Sequence, residues 1–123
     1  MKIAIVILNW NGKALLAQFL PSVIQFSSKA NIYVADNAST DDSIDFLRNA
    51  YPEVKIIQNK ENGGYAKGYN DALKDISEEI LILLNSDIEV SKDWLNPILD
   101  IFNKESKTAA VQPKILDFKN KSY

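Results

Sequence analysis

Four short, mostly apolar runs, each closed abruptly by polar residues, alternate along this chain with segments whose apolar side chains recur at helical spacing. The runs are Ile3 to Leu8, Ile32 to Ala35, Val54 to Ile57 and Ile80 to Leu84. Each is too short for an ordinary helix and rich in branched side chains, which pack well on a pleated surface. The last, Ile-Leu-Ile-Leu-Leu, has no polar interruption, and such continuity predicts a strand buried on both faces of a parallel sheet. Strict alternation of strand and helix predicts an α/β chain: a Rossmann-like, mostly parallel sheet with helices on both faces, in three layers α/β/α.

The helical segments carry their own signals. After Gly12, residues Leu15, Leu16, Phe19, Leu20, Val23 and Ile24 make one apolar stripe, and Pro21 inside it predicts a kink or a fresh helix. Ser39, with Asp42 three residues on, reads as a capping box for the second helix. Gly63 and Gly64 lead into a third helix bearing Tyr65, Ala66, Tyr69, Ala72, Leu73 and Ile76. Ser91 reads as the cap of a fourth, from Lys92 to Phe102, with Trp94, Leu95, Ile98, Leu99 and Phe102 on its apolar face. A short strand near Ala109 to Gln112 is expected after it.

Right-handed crossovers restrict how such units wind, and the commonest order for a half of this kind is 3-2-1-4. Strands one and four are then neighbours, and ligands bind in the crevice at their carboxyl ends, where the winding reverses. Asn9-Trp10-Asn11 and Asn85-Ser86-Asp87 face each other across that crevice, with Asp36 one strand further along the same edge. If the chain stays extended past Leu84, Asn85, Asp87 and Glu89 project to one side and Ser86 to the other.

Composition narrows the chemistry. With 123 residues the chain is one domain's worth, and 46% apolar with 24% charged residues is ordinary for a globular protein. A formal net charge of -2 gives no basic footprint, so no nucleic-acid partner is expected. The absence of cysteine and histidine excludes disulfides, thiolate chemistry, the usual zinc sites and His-dependent triads. Any metal must be a hard cation on oxygen ligands: magnesium, manganese or calcium. No run approaches a membrane span, and the opening Met-Lys-Ile-Ala-Ile-Val-Ile-Leu lacks the cleavage site of a signal peptide, so a soluble, cytoplasmic chain is expected.

Taken singly, the candidate residues have plainer readings. An aspartate after a strand, such as Asp87, is by default a turn former or a cap. Trp10 can cover the core or stack on a planar ligand. Asp36 can initiate the turn over Asn-Ala-Ser-Thr or accept from a base or ribose, and the turn is the default. The Asn62-Gly63-Gly64 stretch can offer backbone N–H groups to a phosphate. Lys67, Asn70 and Asp71 share one helix face, which is by default solvated.

In combination and in this order, four stretches resemble a family 2 glycosyltransferase, in the nucleotide-binding half of the GT-A fold. They are Val-Ile-Leu-Asn-Trp-Asn-Gly at 6 to 12, Val-Ala-Asp-Asn-Ala-Ser-Thr-Asp-Asp-Ser at 34 to 43, Asn-Lys-Glu-Asn-Gly-Gly-Tyr-Ala-Lys-Gly-Tyr-Asn at 59 to 70, and Leu-Leu-Asn-Ser-Asp-Ile-Glu-Val at 83 to 90. The resemblance implies that Trp10 packs on the nucleobase with Asn9 beside it, and that Asp36 reads the base or ribose. It lays the family's Asp-x-Asp motif onto Asn85-Ser86-Asp87: Asp87 ligates a manganese or magnesium ion bridging the donor's diphosphate, and Asn85, standing for the first acid, reaches the ribose. Lys67 lies near the position of a basic phosphate contact. The implied reaction transfers a sugar from a nucleotide diphosphate, with inversion, to a saccharide or lipid-linked acceptor. The general base is expected beyond Tyr123, in an acceptor half that the chain does not reach. A chain cut before that half is expected to bind donor only and to self-associate weakly, and the whole protein to work in the cytoplasm, at the inner face of a membrane if peripherally attached.

Three other readings compete with this one. A nicotinamide-dependent dehydrogenase shares the winding, but Gly12 stands alone after the first strand, with no G-x-G-x-x-G. A phosphoacceptor receiver domain needs acids at the first strand end and an aspartate after the third, where Asn9-Trp10-Asn11 and Gln58-Asn59 stand. The third rival is a non-catalytic nucleotide-sugar-binding module or subunit.

Overall fold

The structure, a computed structural model, describes residues 2–104. Its elements are β1 (Ile3–Asn9), α1 (Lys13–Gln25), β2 (Ala30–Asp36), α2 (Ser43–Ala50), β3 (Lys55–Gln58), α3 (Tyr65–Leu73), β4 (Ile80–Asn85) and α4 (Leu95–Lys104). The strands form one sheet in the order β3-β2-β1-β4, every pair parallel, as the crossover argument expects. The strand expected near Ala109 lies outside the described residues.

Paired residues of neighbouring parallel strands share a face, so the register sorts the core. Ile5, Ile7, Ile32, Val34, Ile82 and Leu84 lie on one face, and Ala4, Val6, Tyr33, Ala35, Leu81 and Leu83 on the other. The first face packs on Leu16, Leu20 and Val23 of α1 and Leu47 of α2, with Val90 and Trp94 joining from the approach to α4. The second packs on Tyr69 and Ala72 of α3. Each fully buried aliphatic side chain contributes about 1.5–3 kcal/mol, so covering both faces of β1 and β2 with helices is strongly stabilising. Gly68 lets α3 come close: a Cβ there would stand 2.8 Å from Leu8 Cδ1 and 3.0 Å from the Asn37 amide.

Several local expectations are corrected. α1 runs unbroken through Pro21; the carbonyl that Pro21 cannot bond belongs to Ala17, and both residues are exposed, so water can satisfy it. The Ser39–Asp42 capping box does not form. Instead the Asp41 carboxylate accepts the Ser43 N–H at 3.0 Å, and Ser39 turns its hydroxyl to Asp36. α4 begins at Leu95 and not at Lys92, because Asp93 adopts a left-handed φ of 62°. Trp94 therefore precedes the helix, yet it still packs on the main core and donates Nε1–H to Ser27 Oγ at 2.9 Å.

The strand expected to be buried on both faces is buried on one. Among the described residues β4 stands at the sheet edge, α3 packs over β1 and β2, and Leu81 and Leu83 are 41% and 49% exposed. A continuous apolar run reports that both faces want cover, not that the described residues supply it. No described helix is long and apolar enough to cross a membrane.

Candidate functional site

The carboxyl edge is built from two bracing networks and one open surface. In the first network, Asn9 ends β1 and Asp36 ends β2, 1% and 3% exposed. Asn9 donates through Nδ2 to Asp36 Oδ1 at 2.9 Å, the Ser39 hydroxyl donates to the same oxygen at 2.7 Å, and the Ser39 N–H donates to Oδ2 at 2.9 Å. Asp36 is thus the initiator of its own turn, the default reading of its residue type. It and Asn9 lie beneath the cleft surface, not on it, since each is more use to the protein paired than exposed. The Asn9 amide cannot be reversed, because only its NH2 end can meet a carboxylate; its Oδ1 is consequently buried without a partner, covered by Gly12.

Asn11 ties the two loops together. Its N–H donates to Ser39 Oγ at 2.9 Å, and its Oδ1 accepts the N–H groups of Thr40 and Asp41 at 2.7 and 3.1 Å. Lys13 reaches Asp42 at 2.8 Å, a contact that raises the lysine's pKa and lowers the acid's. Burial alone would raise the pKa of Asp41, but the donors from Ser43 and Lys13 outweigh it and hold the carboxyl below its usual range.

These loops contain two left-handed residues, Asn11 at φ 50° and Ala38 at φ 62°. Asparagine visits that region readily, whereas for alanine it costs about 1–2 kcal/mol. Glycine removes the strain and loses about 0.5–1 kcal/mol more entropy on folding. Ala38→Gly is therefore expected to stabilise the protein by roughly 0.5 kcal/mol. An increase in the urea midpoint checks this; a decrease would show that the methyl group holds the loop by contacts that outweigh its strain.

The second network joins β2, β3 and α3 through asparagines. Asn37, 2% exposed, donates Nδ2–H to Asn62 Oδ1 at 2.9 Å; Asn59 donates to Asn37 Oδ1 and to the Gly68 carbonyl, each at 3.1 Å. The Gly64 N–H donates to Asn62 Oδ1 at 3.0 Å, so that amide is engaged within the protein and not free for a phosphate. Sequence reading missed this trio because asparagines after strands look like independent turn formers. The Lys67 ammonium lies 2.7 Å from Asp71 and 3.6 Å from Glu61, and the Asp71 contact raises its pKa. It is a half-exposed cation on a solvated helix face, held by surface ion pairs of the kind that contribute little.

What remains open is Trp10, 56% exposed, with Asn85, Ser86 and Asp87. Leu8 and Asn85 are paired across the sheet, so Trp10 rises over the same strand pair that Asn85 ends. The chain turns at Ser86 and Asp87, which ends at Asn85 the extended alternation expected to reach Glu89. Asp87 is exposed, and none of the hydrogen bonds and ion pairs among the described residues involves it. Tyr65, 60% exposed at the start of α3, donates its hydroxyl to Asn85 Oδ1 at 2.6 Å. The sequence places it on the third helix but offers no signal of this contact. A recess of about 240 Å³ lined by Ile24, Ser27, Ala30, Ile32 and Glu53 lies near the start of β2, removed from this edge.

No group of three or more acids able to hold a metal by itself occurs among the described residues. Magnesium and manganese are commonly held by one or two carboxylates together with substrate phosphates. A lone, unpaired Asp87 fits an ion that arrives with a diphosphate and does not fit a calcium cage.

This fold is that of the GT-A glycosyltransferases. The chain belongs to glycosyl transferase family 2, whose sequence profile matches residues 4–122. It is 34% identical over 97 residues to the uncharacterized glycosyltransferase YfnE of Bacillus subtilis (strain 168), covering 76% of this chain and 25% of that protein. It is 26% identical over 97 residues to polypeptide N-acetylgalactosaminyltransferase 5 of Rattus norvegicus, covering 75% of this chain and 10% of that one. The chain thus spans a quarter or less of these relatives. Among solved structures, S. aureus TarS 1-349 in complex with UDP-GlcNAc superposes with a TM-score of 0.75 at 20% identity, covering 93% of this chain and 37% of that one. Mannosyltransferase PcManGT from Pyrobaculum calidifontis, in complex with GDP-Man and Mn2+, gives 0.73 at 21%, covering 82% and 32%.

Proposed function

We propose that this chain is the donor-binding part of a glycosyltransferase that takes a sugar from a nucleotide diphosphate and passes it, with inversion, to a saccharide or lipid-linked acceptor. The observation that carries this reading is the exposed, unpartnered Asp87 carboxylate at the β1/β4 switch point. Asp87 would hold a manganese or magnesium ion together with the diphosphate; when bound, that ion supplies Lewis-acid neutralisation of the leaving group. Trp10 stacks on the nucleobase, a contact worth about 1–3 kcal/mol. Asn85 and Ser86 line the floor between them. Asn9 and Asp36 act from below by fixing the loop that carries Trp10, and Lys67 reaches a donor phosphate by leaving its exposed pair with Asp71. UDP and GDP sugars, bound by the neighbours TarS and PcManGT, are the first donors to try.

Three acids of this edge are poor candidates for the general base, which must reach an acceptor hydroxyl. Asp36, Asp41 and Asp42 are engaged by Asn9, Ser43 and Lys13. We therefore assign donor binding, and not transfer, to this stretch. The exposed edge strand with Leu81 and Leu83 favours weak self-association in isolation. A second reading, a non-catalytic donor-binding module, rests on the same lack of an available base. An inactive polypeptide N-acetylgalactosaminyltransferase-like protein 5 from Macaca fascicularis, 32% identical over 88 residues, is also among the relatives.

Calorimetric titration with uridine, guanosine and thymidine diphosphates, with and without manganese, tests the reading. At least one is expected to bind, more tightly with manganese, and Asp87→Ala is expected to lose roughly tenfold or more of the manganese-dependent affinity. The fold should be unaffected, since the residue is exposed and unpaired. Unchanged affinity in the variant would refute the assignment.

A further inference from the structure

Two tyrosines of one helical turn grip the residue that stands where the family motif has its first acid. Tyr69, 3% exposed, donates its hydroxyl to the Leu84 carbonyl at 2.9 Å, and burial holds its phenol well above the ordinary pKa, keeping it a donor. Tyr65, four residues earlier on the same helix face, packs edge-on against the Tyr69 ring, centroids 4.9 Å apart at 74°. From there its hydroxyl reaches Asn85 Oδ1 at 2.6 Å. Tyr69 thus fixes the β4 backbone just before Asn85, and Tyr65 fixes the side chain.

The consequence lies in the chemistry of the amide. A free asparagine offers a donor end and an acceptor end and can present either. With its oxygen occupied by Tyr65, Asn85 is exposed and has its two Nδ2 hydrogens unengaged among the described residues. A carboxylate in the same place would present an acceptor instead. We infer that Tyr65 is a positioning residue of the donor site, which holds the Asn85 amide in place against an oxygen of the bound nucleotide. The inference rests on the donor-site reading above and deepens it by naming the residue that sets the position of Asn85. That oxygen belongs to a phosphate or to a ribose hydroxyl.

The test is a double-mutant cycle on nucleotide affinity in the full chain, using whichever diphosphate the wild type binds. Tyr65→Phe keeps the ring and its packing on Tyr69, so thermal stability should barely move while affinity falls about three- to tenfold, the scale of one neutral hydrogen bond. In an Asn85→Ala background the same substitution should have no further effect. An equal loss in both backgrounds would show that Tyr65 touches the ligand itself, and no loss in either would show that the lock is idle; each overturns the inference. Repeating the cycle with the nucleoside and with the 2′-deoxy diphosphate identifies the oxygen: the Tyr65→Phe penalty disappears with the ligand that lacks it. Should no diphosphate bind the wild type, the donor-site reading fails on that result. The lock is still tested in the free protein by the Asn85 side-chain amide resonances, which should shift in Tyr65→Phe, and unmoved resonances would overturn it.

Discussion

Asp36→Ala is expected to cost about 3–5 kcal/mol of stability, because it removes one acceptor group and strands several donors at once. The Ser39 N–H loses its partner, the Ser39 hydroxyl loses its acceptor, and Asn9 Nδ2 keeps only its 3.3 Å contact with Ser39 Oγ. Asn9 is 1% exposed and already has an unpartnered Oδ1, so its NH2, left with that one long contact, cannot turn to water. An unsatisfied buried donor costs about 1–3 kcal/mol, and the enclosed site leaves little room for relief. Asp36→Asn should cost less, since its oxygen can still serve Ser39 while its NH2 opposes that of Asn9. Urea denaturation distinguishes the two. A loss below about 1 kcal/mol in Asp36→Ala would mean that water replaces the carboxylate, and that the turn is held by Asn11 alone. Nucleotide affinity should fall with stability, because the Asn11–Ser39 contact that steadies the Trp10 loop depends on the same turn.

Trp94→Ala is expected to cost about 3 kcal/mol, the lower part of the range for large aromatic truncations, because the side chain is only partly buried. Two effects add. The indole leaves the main core near Val90, and Ser27, 1% exposed, loses the Nε1–H that meets its hydroxyl at 2.9 Å. Trp94→Phe keeps most of the apolar contact and loses the hydrogen bond, so it isolates a cost of about 1 kcal/mol. Trp10→Ala is the control, expected within about 0.5 kcal/mol of wild type, as befits an exposed position. If Trp10→Ala proved the more damaging to stability, Trp10 would be a packing residue and the nucleobase platform would have to be sought elsewhere.

The alternation of apolar runs and helical stripes determined by itself that this chain makes a parallel sheet, and handed crossovers then put strands one and four side by side. Both are properties of local side-chain periodicity and of chain connectivity, which one sequence contains in full. The strand-end residues Trp10, Asn85 and Asp87 were legible for the same reason: a polar residue after a buried strand must stand at the edge. Which hydrogen bond each polar residue makes was not legible. Asn9 and Asp36 are separated by 27 residues, and Tyr65 and Asn85 by 20, so their partnerships exist only once two loops meet. Ser39 could equally cap a helix or satisfy Asp36, and the nearer carboxylate won. The same limit applies to burial. The run Ile80 to Leu84 reads as hydrophobic on both faces, but only the placement of α3 over β1 and β2 decided that Leu81 and Leu83 are uncovered, because apolarity records a side chain's preference and not the neighbour that meets it.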